Sequence, residues 1–158
     1  MKRAAFLAVA AACLLAGCID TDPAVFVEPA IDSPELVLTQ EALGVALAGS
    51  FQLTLHLGAR ASGESQVSYG SFTLVDDAGD VVIDNLPVTA SAPSPVTVEP
   101  GGADTAVLFD IDSGPDLLPL ELAAQLCGGL VTISAVLEDS LATTSTSVES
   151  EPFAVACE

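Results

Sequence analysis

An antiparallel β-sandwich of about seven or eight short strands, with one short helical crossover, is the fold class this sequence predicts. Three observations carry it. From residue 35 to residue 158, apolar residues recur with a period of two in several runs, which sets alternate side chains on one face of a pleated strand. Clusters of Gly, Pro, Asp and Ser break those runs at roughly 8–12-residue intervals, the rhythm of a sandwich. One segment, PDLLPLELAAQLCGG, is helical in character: Pro119 suits a first turn and Gly128 a stop.

Before the sandwich comes a basic pair, Lys2 and Arg3, and an uncharged run, AAFLAVAAACLLAG, at residues 4–17. That is the pattern of a secretory signal peptide, too short for a permanent membrane helix. The run ends in Leu15-Ala16-Gly17-Cys18, which resembles the lipobox of bacterial lipoproteins over the first 18 residues. The resemblance implies cleavage before Cys18, lipid on its thiol and acylation of the new amino group. Small residues at 16 and 17 let a protease approach the backbone. It therefore implies a cell-envelope protein held to the membrane through Cys18. Ile19, rather than Asp, follows the cysteine, which implies the outer membrane.

Without residues 1–17, one arginine (Arg60) stands against 22 acidic residues, a side-chain charge of −21. Such a surface repels nucleic acid and anionic headgroups, and it keeps a body rich in Ala, Val and Leu in solution. No long apolar run follows Cys18, so no second membrane segment is expected. Trp is absent and Tyr69 is the only tyrosine, so aromatic binding hot spots are scarce.

Residues 18–34 hold Pro23, Pro29 and Pro34 among acids and are expected to form an extended tether, with Val25 and Phe26 docking locally. The sandwich is expected over residues 35–158. ELVLTQ is a first strand. GVALAGSFQLTLHLGA is a second, with Phe51, Leu53, Leu55 and Leu57 inward and Gln52, Thr54 and His56 outward. In QVSYGSFTLVDDAGDVVIDNL, Val67 and Tyr69 differ in parity from Phe72 and Leu74. That predicts a bulge at Gly70-Ser71 and a hairpin turn at Asp77-Ala78-Gly79. PVTVEPGGADTAVLFDID gives a strand, a turn and a strand with Val107, Phe109 and Ile111 inward. LVTISAVLED turns Val131, Ile133, Ala135 and Leu137 inward, and PFAVAC closes the chain. In the order of these features, residues 35–158 resemble bacterial immunoglobulin-like domains. The tyrosine of their corner before the penultimate strand is replaced here by Leu126-Cys127-Gly128. The resemblance implies an immunoglobulin-like β-sandwich.

Few residues suggest chemistry. His56 is the only histidine and is expected to be a solvated strand residue. No G-x-S-x-G elbow, phosphate loop or dinucleotide fingerprint occurs. Asp76, Asp77 and Asp80 cluster where turns favour aspartate. DIDSGPD offers Asp110, Asp112 and Asp116 as weak calcium candidates. Its glycine comes one place early for an EF-hand loop, and the distal Glu is missing. No catalytic residue is assigned and no cofactor is expected. Two functional classes follow. One is a lipid-anchored, non-catalytic immunoglobulin-like module that binds or assembles with an envelope protein. The other is an envelope hydrolase using paired carboxylates. A calcium-binding adhesion module is a variant of the first.

Cys127 and Cys157 are expected to pair. Cys13 leaves with the signal and Cys18 carries lipid, which leaves two thiols in an oxidising compartment. The midpoint of 127 and 157 is residue 142, inside the turn around Leu141-Ala142-Thr143, so a final hairpin sets them opposite each other. Cys127 shares parity with inward Val131 and Ile133, and Cys157 with Phe153 and Val155, so both thiols are expected to point to the same face. Val148 has the other parity, which requires a bulge near Glu151-Pro152.

Overall fold

The computed structural model describes residues 22–158; the expected signal sequence and Cys18 lie outside the described residues. In chain order the elements are β1 (Glu28–Glu41), β2 (Gly44–His56), β3 (Ser65–Asp76), β4 (Val81–Ile83), β5 (Val88–Ala90), β6 (Val96–Val98), β7 (Thr105–Asp112), α1 (Glu121–Leu126), β8 (Leu130–Asp139), β9 (Thr146–Glu149), β10 (Phe153–Ala154) and β11 (Ala156–Cys157). One sheet has the order β11-β1-β2-β7-β5. The other runs β10-β8-β3-β4, with β6 paired to β3 and β9 to β8. The orders β1-β2-β7-β5 and β3-β8-β9 are those of strands ABED and CFG in an immunoglobulin sandwich. The fold is therefore an immunoglobulin-like β-sandwich.

Alternation builds the core. Phe51, Leu53, Leu55, Val107, Phe109 and Ile111 from the first sheet meet Phe72, Leu74, Val131, Ile133 and Leu137 from the second, all buried. Phe51 lies opposite Phe109 on neighbouring strands, stacked at 4.8 Å between centroids. Phe72 closes over both, at 4.9 and 4.7 Å and edge-on. Edge-to-face and stacked contacts of this kind add to plain area burial. Tyr69 lies edge-on to Phe109 at 5.2 Å and donates its hydroxyl to the Ala92 carbonyl at 2.7 Å.

The strand parities proved informative. The register slips between Tyr69 and Phe72, at Gly70-Ser71. The β3–β4 turn lies over residues 77–79, with Gly79 at φ 88°. Helix α1 follows Pro119, and Gly128 takes φ 90° just beyond its end. Leu126, at the end of α1, is fully buried.

Other expectations need correction. The tether does not run to residue 34, because β1 already pairs from Glu28, opposite His56. Ile31 is buried, and a register break between Asp32 and Glu35 absorbs Pro34 and Ser33, the latter at φ 50°. A proline-containing acidic stretch thus becomes strand because its few apolar residues have a core to enter. The strand count exceeds the expected seven or eight because the edges are fragmented. The final strand alone becomes β9, β10 and β11.

That fragmentation explains the cysteines. Along β9 the register pairs Val148 with Ala135, whereas along β10 it pairs Phe153 with Val131, so one residue slips in the segment containing Pro152. Continued outward, the β10 register sets 157 opposite 127. Cys127 and Cys157 are disulfide-bonded there, with Cα atoms 6.0 Å apart. Both residues are exposed. After buried Val155 the chain changes sheets, and Cys157 pairs alongside Leu38 in parallel. The bond therefore lies on the rim between the sheets.

Candidate functional site: the docked N-terminal segment

His56 ends β2 on its outward face and is held from both sides. Its Nδ1 lies 2.7 Å from Asp104 Oδ1, on the loop entering β7. Its Nε2 lies 2.7 Å from Asp22 Oδ2, in the N-terminal segment. A ring that donates from both nitrogens is an imidazolium. The hydrogen bond to Asp104, then that to Asp22, raises the His56 pKa above 6.5. Asp22 is lowered below 3.8, first by the Ala24 backbone N–H at 3.0 Å and then by His56. A doubly donating imidazolium has no lone pair left for a metal or a substrate proton. His56 is thus a clamp, not the solvated residue expected from its strand parity. The partner that changes it comes from the stretch expected to be a free tether.

A second fastening lies nearby. Asp139, at the end of β8, accepts from the Val27 backbone N–H at 2.8 Å and from the Leu141 N–H at 2.8 Å. It also accepts a short hydrogen bond from the Ser65 hydroxyl. Burial pushes the Asp139 pKa up, but these donors, Ser65 foremost, outweigh it and hold the carboxyl below 3.8. Gly58 completes the seat, since a Cβ there would lie 2.5 Å from the Ala24 carbonyl oxygen and 2.9 Å from Asp22 Oδ2. Residues 22–27 are therefore fixed to one end of the sandwich. Ala24 and Val27 are buried, while Val25 and Phe26 are 43% and 51% exposed. This reverses the expected local docking of Val25 and Phe26: their two neighbours enter the core instead.

The clamp has a defined pH window. His56, with its pKa raised, contributes stability that is full below 6.5 and lost as pH rises through the raised value. Asp22, with its pKa lowered, contributes stability that is full above 3.8 and lost as pH falls through the lowered value. The fastening is thus strongest between these pH values. In an NMR titration the His56 ring should change protonation above pH 6.5, and Asp22→Asn should move that midpoint down. A midpoint at or below 6.5 in the parent protein would mean that the clamp does not form in solution.

The other candidate residues behave locally. Asp76 Oδ1 accepts from the backbone N–H of Ala78 and of Asp80, at 3.0 and 2.9 Å, and so builds its own turn; Asp77 lies within that turn. Asp110, Asp112 and Asp116 are exposed, and Asp112 Oδ1 accepts from the Gly114 N–H at 2.7 Å. Among the described residues no group of three or more His, Cys, Asp or Glu is placed to hold a metal, so the calcium candidates are not brought together. The alternation of β7 puts Asp110 and Asp112 on the outer face, and Asp116 follows the turn at Gly114 (φ 59°). Among the described residues Asp139 is the one buried carboxylate. It borders an open groove of about 480 Å³ lined by Gln66, Ser68, Pro95, Glu138 and the 140–145 turn. Its oxygens are already engaged by the donors named above. Asp22, Asp104, Ser65 and Asp139 were not singled out from sequence. Their partners lie 34, 48, 74 and 112 residues apart in pairs, which no local pattern encodes.

No family model matches the chain, and no curated protein matches it. Among solved structures the chain has only loose similarities, two of which follow. A family 123 glycoside hydrolase from Clostridium perfringens is 14% identical with a TM-score of 0.42, over 84% of this chain; the chain spans 28% of that protein's length. PapD-like domain 7 of human CEP192 is 14% identical with a TM-score of 0.36, over 93% of this chain and 99% of that one. Overlaps this loose carry no functional argument, and the fold assignment rests on strand order.

Proposed function

We propose that this chain is a lipid-anchored cell-envelope protein, sited at the outer membrane through Cys18, whose immunoglobulin-like sandwich is a non-catalytic binding or assembly module. The observation that carries the reading is the fastened N-terminal segment. Residues beginning four positions after Cys18 are bound to one end of the sandwich by the Asp22–His56 and Val27–Asp139 contacts. That is what an anchored body needs if load or orientation is to pass from lipid to fold. The opposite end, some 13 strand residues away along β2, carries the β1–β2 hairpin with Leu43 87% exposed.

The hydrolase alternative has less support. Two carboxylates working as acid and base need environments that push their pKa values apart, one of them upward. The buried Asp139 carboxyl is instead held ionised, and Asp22 and Asp104 are both bound to the His56 ring. The strong negative charge argues against a nucleic-acid partner.

The module is tested by photocrosslinking in intact cells. A photoreactive residue replacing Leu43, Val81 or Leu130, all exposed, should give a discrete adduct with an envelope protein from at least one site. Failure to form any adduct from all three would remove the binding-module reading.

A further inference from the structure

We infer that Val25 and Phe26 seat in the headgroup region of the bilayer that carries Cys18, so that the sandwich stands on the membrane instead of swinging above it. This rests on the lipid-anchor reading and adds a membrane contact made by the protein itself. The reach of the chain sets the geometry. Four residue steps separate Cys18 from Asp22, and a fully extended chain covers about 14 Å in that distance. Asp22 cannot wander further, because His56 and the Gly58 seat hold it. The polar headgroup layer is itself about 5–7 Å deep on each side of the hydrocarbon. The end of the sandwich carrying Asp22 must therefore lie at or near that layer.

At this same end the backbone is pinned on both sides of two outward apolar residues. Ala24 and Val27 are buried, and the Val27 N–H is bound to Asp139 at 2.8 Å. Val25 and Phe26, 43% and 51% exposed, are thus presented without further ordering of the chain. An apolar side chain held at an interface gains by entering the acyl boundary, and a second membrane contact reinforces a lipid anchor. Carboxylates at this end would oppose the contact. The His56 imidazolium between Asp22 and Asp104, and Arg60, whose charge is felt at Asp22, offset only part of that charge, since Glu28 and Asp139 also lie at this end, so the contact is with a zwitterionic and not an anionic surface. The other apolar tip, Leu43, lies at the far end of the 13-residue β2, about 40 Å away at the usual strand rise.

The absence of tryptophan makes the test direct. Full-length lipidated protein carrying Phe26→Trp, and separately Leu43→Trp, is reconstituted in phosphatidylcholine vesicles with bromine at a shallow acyl position. Lipid on Cys18 is verified by mass spectrometry. The Phe26→Trp protein should show blue-shifted emission and lose most of it to bromine, while the Leu43→Trp protein keeps its emission. A lipid-bearing Phe26→Trp protein that is not quenched, or equal quenching at both sites, overturns the membrane contact and leaves the anchor standing. A protein without lipid on Cys18 overturns both. Replacing Val25 and Phe26 by Ser in the lipidated protein should raise the rotational mobility of a spin label at residue 43; unchanged mobility also counts against the contact.

Discussion

A Cys127→Ser/Cys157→Ser protein should unfold with about 3–4 kcal/mol less free energy than the parent, the chain-entropy value for a closed loop of 30 residues. For a domain of this size that loss corresponds to a fall in Tm on the order of 10 °C. The expectation is strengthened by what surrounds the bond. Cys127 sits between α1 and β8, and Cys157 is in a two-residue strand that pairs with β1 at the sheet edge. Backbone bonds from the Gln40 N–H to the Glu158 carbonyl (3.0 Å) and from the Glu158 N–H to the Leu38 carbonyl (2.9 Å) hold that strand. Val155 alone in this last stretch is buried. Without the covalent link, a strand this short has little to keep it paired. Calorimetry of the parent, the reduced parent and the double variant measures the effect. Equal melting temperatures in all three would show that the bond adds nothing to the fold, and hydrogen exchange at Glu158 should quicken if the terminal strand is released.

The core strands were legible because a period of two is a local signal. Phe51 through Leu57, Val107 through Ile111 and Val131 through Leu137 turn inward as their parity demands. The parity conflict between Tyr69 and Phe72 located a bulge, and the midpoint of the two cysteines located the final turn, since a hairpin register is fixed by few residues. One short edge strand was not legible. Strand β5 has three residues, too few for any period to appear, whereas β6, of the same length, falls in the PVTVEP stretch expected as a strand. The final strand was not legible past Val155, because parity holds only within one sheet and the chain leaves the second sheet for the first there.

The docking of residues 22–27 was hidden for a different reason. Proline and acid in this stretch argue for a solvated tether, and in isolation they would make one. What fixes the segment is a set of acceptors and donors supplied from far along the chain: His56, Asp139 and the bare backbone at Gly58. The sequence hint was the apolar run Ala24-Val25-Phe26-Val27. Which pair of that run enters the core depends on the register at Val27, which Asp139 sets. The sole histidine illustrates the same limit. Its outward parity was right, and its chemical state was set by Asp22 and Asp104, which no spacing rule connects to it.

The account turns on lipid at Cys18. In the proposed reading Leu15-Ala16-Gly17-Cys18 is the attachment point, and the fastened segment beginning at Asp22 would turn a lipid there into an oriented body. Its effect is close to all-or-none. Each buried acyl methylene contributes about 0.8 kcal/mol, so several chains hold a protein firmly. A fully buried Phe side chain contributes only about 1.5–3 kcal/mol, so Phe26 cannot replace them. The direct measurement is phase separation in a nonionic detergent of whole-cell protein from the parent and from Cys18→Ala, both followed by an internal epitope. The parent should enter the detergent phase and Cys18→Ala the aqueous phase; a Cys18→Ala protein that still enters the detergent phase would contradict the account.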